Sequence, residues 1–169
     1  REAGDLHQNG EFEKAAYLYE NLLGAVPDDP IVMYLYGTLC NQTGRFGTGI
    51  VLLRAALDLN PRIAEAWHNL GVAYRNEGHV DQARQAYRKS IELQPNNPAS
   101  LTMMAGSYVN AGNPAEGLIW ADKALALDPN EVHAKNQKAL CLLELGRLKE
   151  GWALYENRFE LMKQQVTRR

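Results

Sequence analysis

The chain has 169 residues, 46% of them hydrophobic, a net charge of −2 and a pI near 6.1. That balance excludes a general nucleic-acid or anionic-membrane binder, which would show a basic face. No apolar run approaches the roughly 18–20 residues that a membrane span needs, and no secretory signal pattern follows Arg1. The organising feature is a period of 34 residues. Gly10, Gly44, Gly78, Gly112 and Gly146 recur at that spacing, and so do Pro27, Pro61, Pro95 and Pro129. A fixed period of this length marks an array of like units, each too small to bury its own apolar face.

In chain order, residues 1–29 form an incomplete unit that turns at Gly10. The next unit, 30–63, opens with Asp29-Pro30, an N-cap followed by a first-turn proline. The fullest unit is 64–97. Trp67, Leu70, Gly71 and Tyr74 recur at three and four residues and share one helical face. Gly78 ends that helix, because glycine adopts the left-handed conformation without a Cβ penalty. A second helix places Ala83, Ala86, Tyr87, Ser90 and Ile91 on its inner face, and Pro95 stops it. Asn97-Pro98 opens the unit 98–131, and Asn113-Pro114-Ala115-Glu116 supplies a capping-box glutamate. The last unit, 132–165, has Lys163 where the others have proline. Its second helix is expected to run from Leu148 to about Gln165, with Trp152, Tyr155, Phe159 and Met162 on one stripe.

Two sets of small residues also keep the period. Gly37 and Gly71, with Ala3, Ala105 and Ala139 in the matching places, lie inside first helices. Ala15, Gly49, Ala83, Gly117 and Gly151 lie inside second helices. A mid-helix glycine costs about 1 kcal/mol relative to alanine, so both sets read as points of close helix–helix approach.

Trp67, Leu70, Gly71, Tyr74, Gly78, Ala83, Tyr87 and Pro95 together resemble the tetratricopeptide repeat (TPR). The resemblance implies an all-α, right-handed superhelical solenoid of antiparallel helix pairs, with residues 1–169 as a single domain. In that family the first helices line the concave face, where ligands bind. Carried over, the face consists of Tyr34, Leu35, Thr38 and Asn41, then His68, Asn69, Val72, Arg75 and Asn76. It continues with Thr102, Met103, Val109 and Asn110, and ends with Asn136 and Gln137. This surface is rich in amides and poor in charge. An amide donates and accepts at once, which suits a peptide backbone, and the apolar members suit an extended segment or an amphipathic helix. A carboxylate clamp of the cochaperone kind is not expected, since Tyr34, Thr38, Asn69, Ala99 and Met103 stand in its places and only Asn69 fits.

No chemistry accompanies these repeats in the sequence. His7, His68, His79 and His133 have no metal-ligand spacing, no glycine motif follows a strand, and no cofactor, metal or catalytic residue is expected. Cys40 and Cys141 belong to no C-x-x-C motif and read as buried free thiols, which leans toward a reducing compartment such as the cytoplasm. The expected function is therefore a non-enzymatic scaffold that binds a partner protein or peptide in the groove. Two alternatives stand beside it. The stretch GWALYENRF, residues 151–159, resembles the segment that closes the array in bacterial TPR proteins, some of which continue into a glycosyltransferase-like domain. That resemblance implies the scaffold portion of a larger enzyme. The third reading is a homo-oligomer formed through exposed terminal repeats, with Trp152, Tyr155 and Phe159 as the docking surface.

Overall fold

A computed structural model describes residues 1–156. Its helices are α1 (Glu2–Gln8), α2 (Phe12–Ala25), α3 (Pro30–Gln42), α4 (Phe46–Leu59), α5 (Ala64–Asn76), α6 (Val80–Leu93), α7 (Pro98–Asn110), α8 (Pro114–Leu127) and α9 (Val132–Glu144). A further helix, α10, begins at residue 148 and continues through 156. No strand occurs among the described residues. The chain forms two compact units, Arg1–Gln94 and a second that begins at Pro95. In the first unit α1 pairs with α2, α3 with α4, and α5 with α6; in the second, α7 pairs with α8, and α9 packs against both.

One local device makes every turn inside a pair. All five periodic glycines have positive φ, between 69° and 82°. At Gly78 the glycine amide donates to the Arg75 carbonyl (3.1 Å) and the His79 amide to the Tyr74 carbonyl (2.8 Å). These are the two bonds of a Schellman motif, which satisfy carbonyls orphaned at a helix end. The same pair of bonds recurs at Gly10, Gly44, Gly112 and Gly146. The turns between pairs come from proline. Val26, Asn60, Gln94 and Asp128 each precede a proline and each is extended, with φ from −131° to −140°. The proline ring excludes the helical region for the residue before it, so each second helix stops two residues short of the proline.

The caps follow the sequence with one correction. The Asp29 carboxylate accepts from the Ile31 and Val32 amides (2.9 and 3.1 Å), and the Asn97 side chain from Ala99 and Ser100 (3.1 and 3.4 Å). Asn113 accepts from the Glu116 amide at 3.3 Å, but the reciprocal half of the capping box is missing. The Asn113 amide instead donates to the Tyr108 carbonyl at 2.9 Å as part of the glycine turn, so Glu116 finds no donor there. Glu131, a cap that the sequence reading missed, accepts from the His133 amide at 3.1 Å and from the Ala134 amide.

The small residues mark close approach, as their spacing suggests. A Cβ on Gly49 would lie 3.2 Å from the Gly37 carbonyl oxygen, one on Gly117 3.1 Å from that of Ala105, and one on Gly151 3.1 Å from that of Ala139. In each case the second-helix glycine faces the carbonyl twelve residues earlier. Gly71 differs, because the ring of Tyr87 rather than a backbone occupies its missing Cβ. The core of the first unit holds two clusters, one around Tyr19, Tyr36, Leu39 and Cys40 and the other around Leu53, Leu57, Ala66 and Leu70. In the second unit Leu101, Met104, Ala105, Ala121, Ala124 and Leu142 are buried. Cys40 and Cys141 are both free and fully buried.

Candidate interaction surfaces

The first-helix face of the first unit is built by α3 and α5, which lie side by side. Three of its expected ligand groups meet each other instead. The Asn69 amide donates to the Thr38 hydroxyl at 2.8 Å, and that hydroxyl donates to the Tyr34 carbonyl at 2.8 Å. The Asn41 amide donates to the Asn69 carbonyl at 2.8 Å. Thr38, Asn41 and Asn69 thus tie two neighbouring first helices together. The Asn41 side-chain oxygen Oδ1 is buried without a hydrogen-bond partner and rests against Gly49, where only a glycine leaves room for it.

Around this network Tyr34, Leu35 and Val72 are half-buried, while Arg75 and Asn76 are exposed. Asn76 bonds back to the Val72 carbonyl at 2.8 Å. Burial, reinforced by Glu65, raises the Tyr34 phenol above its ordinary range, with the Thr38 hydrogen bond opposing it. Burial, reinforced by Arg75, lowers His68 below the usual imidazole value, and its ring lies 6.0 Å from that of Tyr87.

In the second unit two of the expected residues are unavailable. Thr102 is 1% exposed, its hydroxyl bonded to Glu131 at 3.3 Å, and Val109 is 8% exposed. Thr102 sinks because Glu131, while capping α9, also collects its hydroxyl. Met103 is partly buried and Asn110 exposed. Asn136 has a buried side-chain oxygen, Oδ1, without a partner, and Gln137 lies over Gly106 at about 3.2 Å from its missing Cβ. On α10, Trp152 is 52% exposed and meets Tyr155 edge-to-face, ring centroids 5.8 Å apart. Phe159, Met162, Lys163 and the expected extension to Gln165 lie outside the described residues.

Sequence reasoning overlooked hollows on the second-helix side of the first unit. One, of about 300 Å³, lies among α4, α5 and α6. Another, of about 420 Å³, lies along α2 beside Thr43 and Arg45, and a third, of about 390 Å³, lies between α1 and α2. A comparison of side-chain sizes at matching places of successive repeats would have pointed to the first of them. Among the described residues, no cluster of His, Cys, Asp and Glu is suited to a metal ion, and no helix is long and apolar enough to cross a membrane.

Glycine turns at one register, extended pre-proline links and small residues facing carbonyls twelve residues back make this a repeat of helix pairs. Family models for the tetratricopeptide repeat match residues 64–97 and 2–50. The chain is a tetratricopeptide repeat protein. The first matched span coincides with the unit read from the sequence as the fullest repeat. Among similar proteins is the TPR repeat-containing protein YpiA of Bacillus subtilis, 31% identical over 134 residues, which are 79% of this chain and 31% of that protein. The peroxisomal targeting signal receptor of Kluyveromyces lactis is 34% identical over 95 residues, 56% of this chain and 17% of the receptor. The chain thus spans less than a third of the length of either relative. The crystal structure of MamA superposes with a TM-score of 0.84 at 19% identity, covering 98% of this chain and 96% of that one. At that identity the likeness speaks for the fold alone.

Proposed function

We propose that this TPR chain is a non-catalytic scaffold that holds a partner protein through an extended or helical peptide segment on its first-helix face. The observation that carries this reading is the composition of that face in the first unit. It is a cluster of half-buried Tyr34, Leu35 and Val72, bordered by amides and carrying Arg75 as one of its few charges. Its network fastens α3 to α5, so the face is ordered before a ligand arrives and less entropy is lost on binding. The Kluyveromyces relative, named as a receptor for a targeting signal, supports the same kind of role.

The test is an affinity pull-down from the host lysate with this chain as bait. The control combines Tyr34→Ala, Asn69→Ala, Arg75→Ala and Asn110→Ala. Retention of a partner by the bait and its loss with the control is the expected result. Equal retention by both would move the site off the first helices. Binding should also be nearly insensitive to salt, because the face has few charges to screen; a loss of about a hundredfold or more between roughly 50 and 500 mM salt would contradict the reading.

The exposure of Trp152 favours a second reading, in which α10 docks on a further domain or a second copy of the chain. A second copy predicts a molecular mass that rises with concentration in sedimentation runs and stops rising in Trp152→Glu. A concentration-independent monomeric mass would remove that version.

A further inference from the structure

The hollow among α4, α5 and α6 has a floor of Trp67, Leu70 and Tyr74, spaced at three and four residues on α5. Arg54 and Asp58 stand on one rim and Gln82 and Gln85 on the other, all four exposed. Among the described residues none of these four has a hydrogen-bond or ion-pair partner. The floor is braced by the indole N–H of Trp67, which donates to the Pro61 carbonyl at 2.9 Å.

The side chains at this hollow differ from those at the matching places of the repeat before it. At the preceding junction, 34 residues earlier, Tyr36 stands where Leu70 stands, and Leu52 where Ala86 stands. There the Tyr36 ring stacks on Tyr19 at 6.0 Å, and its hydroxyl donates to Glu20, the counterpart of Arg54. Tyr36 and Leu52 put larger side chains in the two places, and the hollow of that junction lies instead along α2, where Glu20 helps to line it. Leucine, alanine and arginine at the same places line the hollow among α4, α5 and α6.

We propose that this hollow is a second peptide-binding site, on the second-helix side, which takes one aromatic or branched aliphatic side chain of an uncharged, extended segment. Its size chooses the occupant first. About 300 Å³ is at the small end of ligand pockets, enough for one large side chain and too little for a cofactor. Charge chooses next. Arg54 and Asp58 are one turn apart on α4 and cancel, so the rim selects for neither sign. The two glutamines then set the backbone. Each amide offers a donor and an acceptor, matching the N–H and C=O of a peptide on either side of the inserted residue, a pairing that a hydrocarbon chain does not offer. The floor residues form a different stripe of α5 from His68, Asn69, Val72, Arg75 and Asn76, so the two faces can be tested separately.

The test is a nitrogen–proton NMR titration of the whole chain with short uncharged peptides of the form Ser-Gly-Thr-X-Thr-Gly-Ser. X is Phe, Trp, Leu or Ala. With X as Phe, Trp or Leu, the Trp67 indole and the side-chain amides of Gln82 and Gln85 should shift and saturate together. With X as Ala they should stay in place. Ala86→Leu, which refills the space, should weaken binding by about tenfold or more, and so should Gln82→Ala with Gln85→Ala. The glutamine pair is exposed, so it decides the matter even if Ala86→Leu fails to fold. The proposal is overturned if these resonances ignore all four peptides up to several millimolar, or answer Ala as strongly as Phe. It is also overturned if the shifts fall on Asn69 and Asn76 and the glutamine pair changes nothing.

Discussion

Gly78 and Gly71 are seven residues apart and are needed for unrelated reasons. Gly78 has a φ of +82° and nothing within 4 Å of its missing Cβ, so alanine there meets only backbone strain, about 1–2 kcal/mol. Gly71 is helical, and alanine there runs into the Tyr87 ring. Overpacking of that kind costs about 1–3 kcal/mol, against a gain of about 1 kcal/mol in helix propensity. A double-mutant cycle in urea separates the two causes. Gly71→Ala should become less harmful, or stabilising, when Tyr87 is replaced by Leu, whereas Gly78→Ala should add independently of that change. Burial also pushes the Cys141 thiol up to about 11, with Glu144 as the next cause, and raises Cys40 as well. The thiolate is the reactive form. Neither cysteine should therefore react with an aromatic disulfide reagent at about pH 8 until denaturant is added, and fast labelling of the native chain would contradict their burial.

At the scale of the element, helix ends decide where each repeat begins. Asp29→Ala and Asn97→Ala each remove a side chain that accepts from two orphan amides, and each should cost about 1 kcal/mol in chemical denaturation. Glu116→Ala should cost almost nothing, because the capping box it would complete is not closed. The difference between Glu116 and the two caps lies in the chain before them. Asp29 and Asn97 follow extended links, which leave them free to cap. Asn113 directly follows a glycine turn that has already engaged its amide. The short motif at 113–116 was legible in the sequence, but the competition for one N–H was not.

At the scale of the whole molecule the first-helix face contributes, through His68, to how stability depends on pH. His68 is depressed by burial and then by Arg75. In the unfolded chain the imidazole binds its proton near pH 6.5, while the folded chain resists it until lower pH. Stability is therefore unaffected by this group above about pH 6.5 and falls as pH drops below that value toward the folded pKa. Replacing His68 with Gln should flatten this limb of the pH–stability curve, measured by thermal melts from about pH 7.5 down to 5. An unchanged slope would mean that His68 titrates normally in the folded chain. The same face shows where reading from the sequence stopped. Thr38, Asn41 and Asn69 were rightly placed on first helices, yet their polar groups bond to neighbouring helices, and Thr102 turned inward to Glu131.

The sequence by itself determined the helices, their turns, most of their caps and the register at which pairs touch. Each depends on a few adjacent residues, and the 34-residue period states each of them several times. Left-handed φ demands glycine, proline forbids helix in the residue before it, and a carbonyl close at hand demands a missing or minimal side chain. Only the tertiary structure decided which amides bond to neighbouring helices, why Tyr87 sits on Gly71, and where the hollow opens. Those outcomes depend on the summed volumes and competing hydrogen bonds of side chains from three or four helices. Leu70 and Ala86 are ordinary core residues in the sequence, and they line a hollow only because Trp67, Arg54 and Gln82 are folded around them.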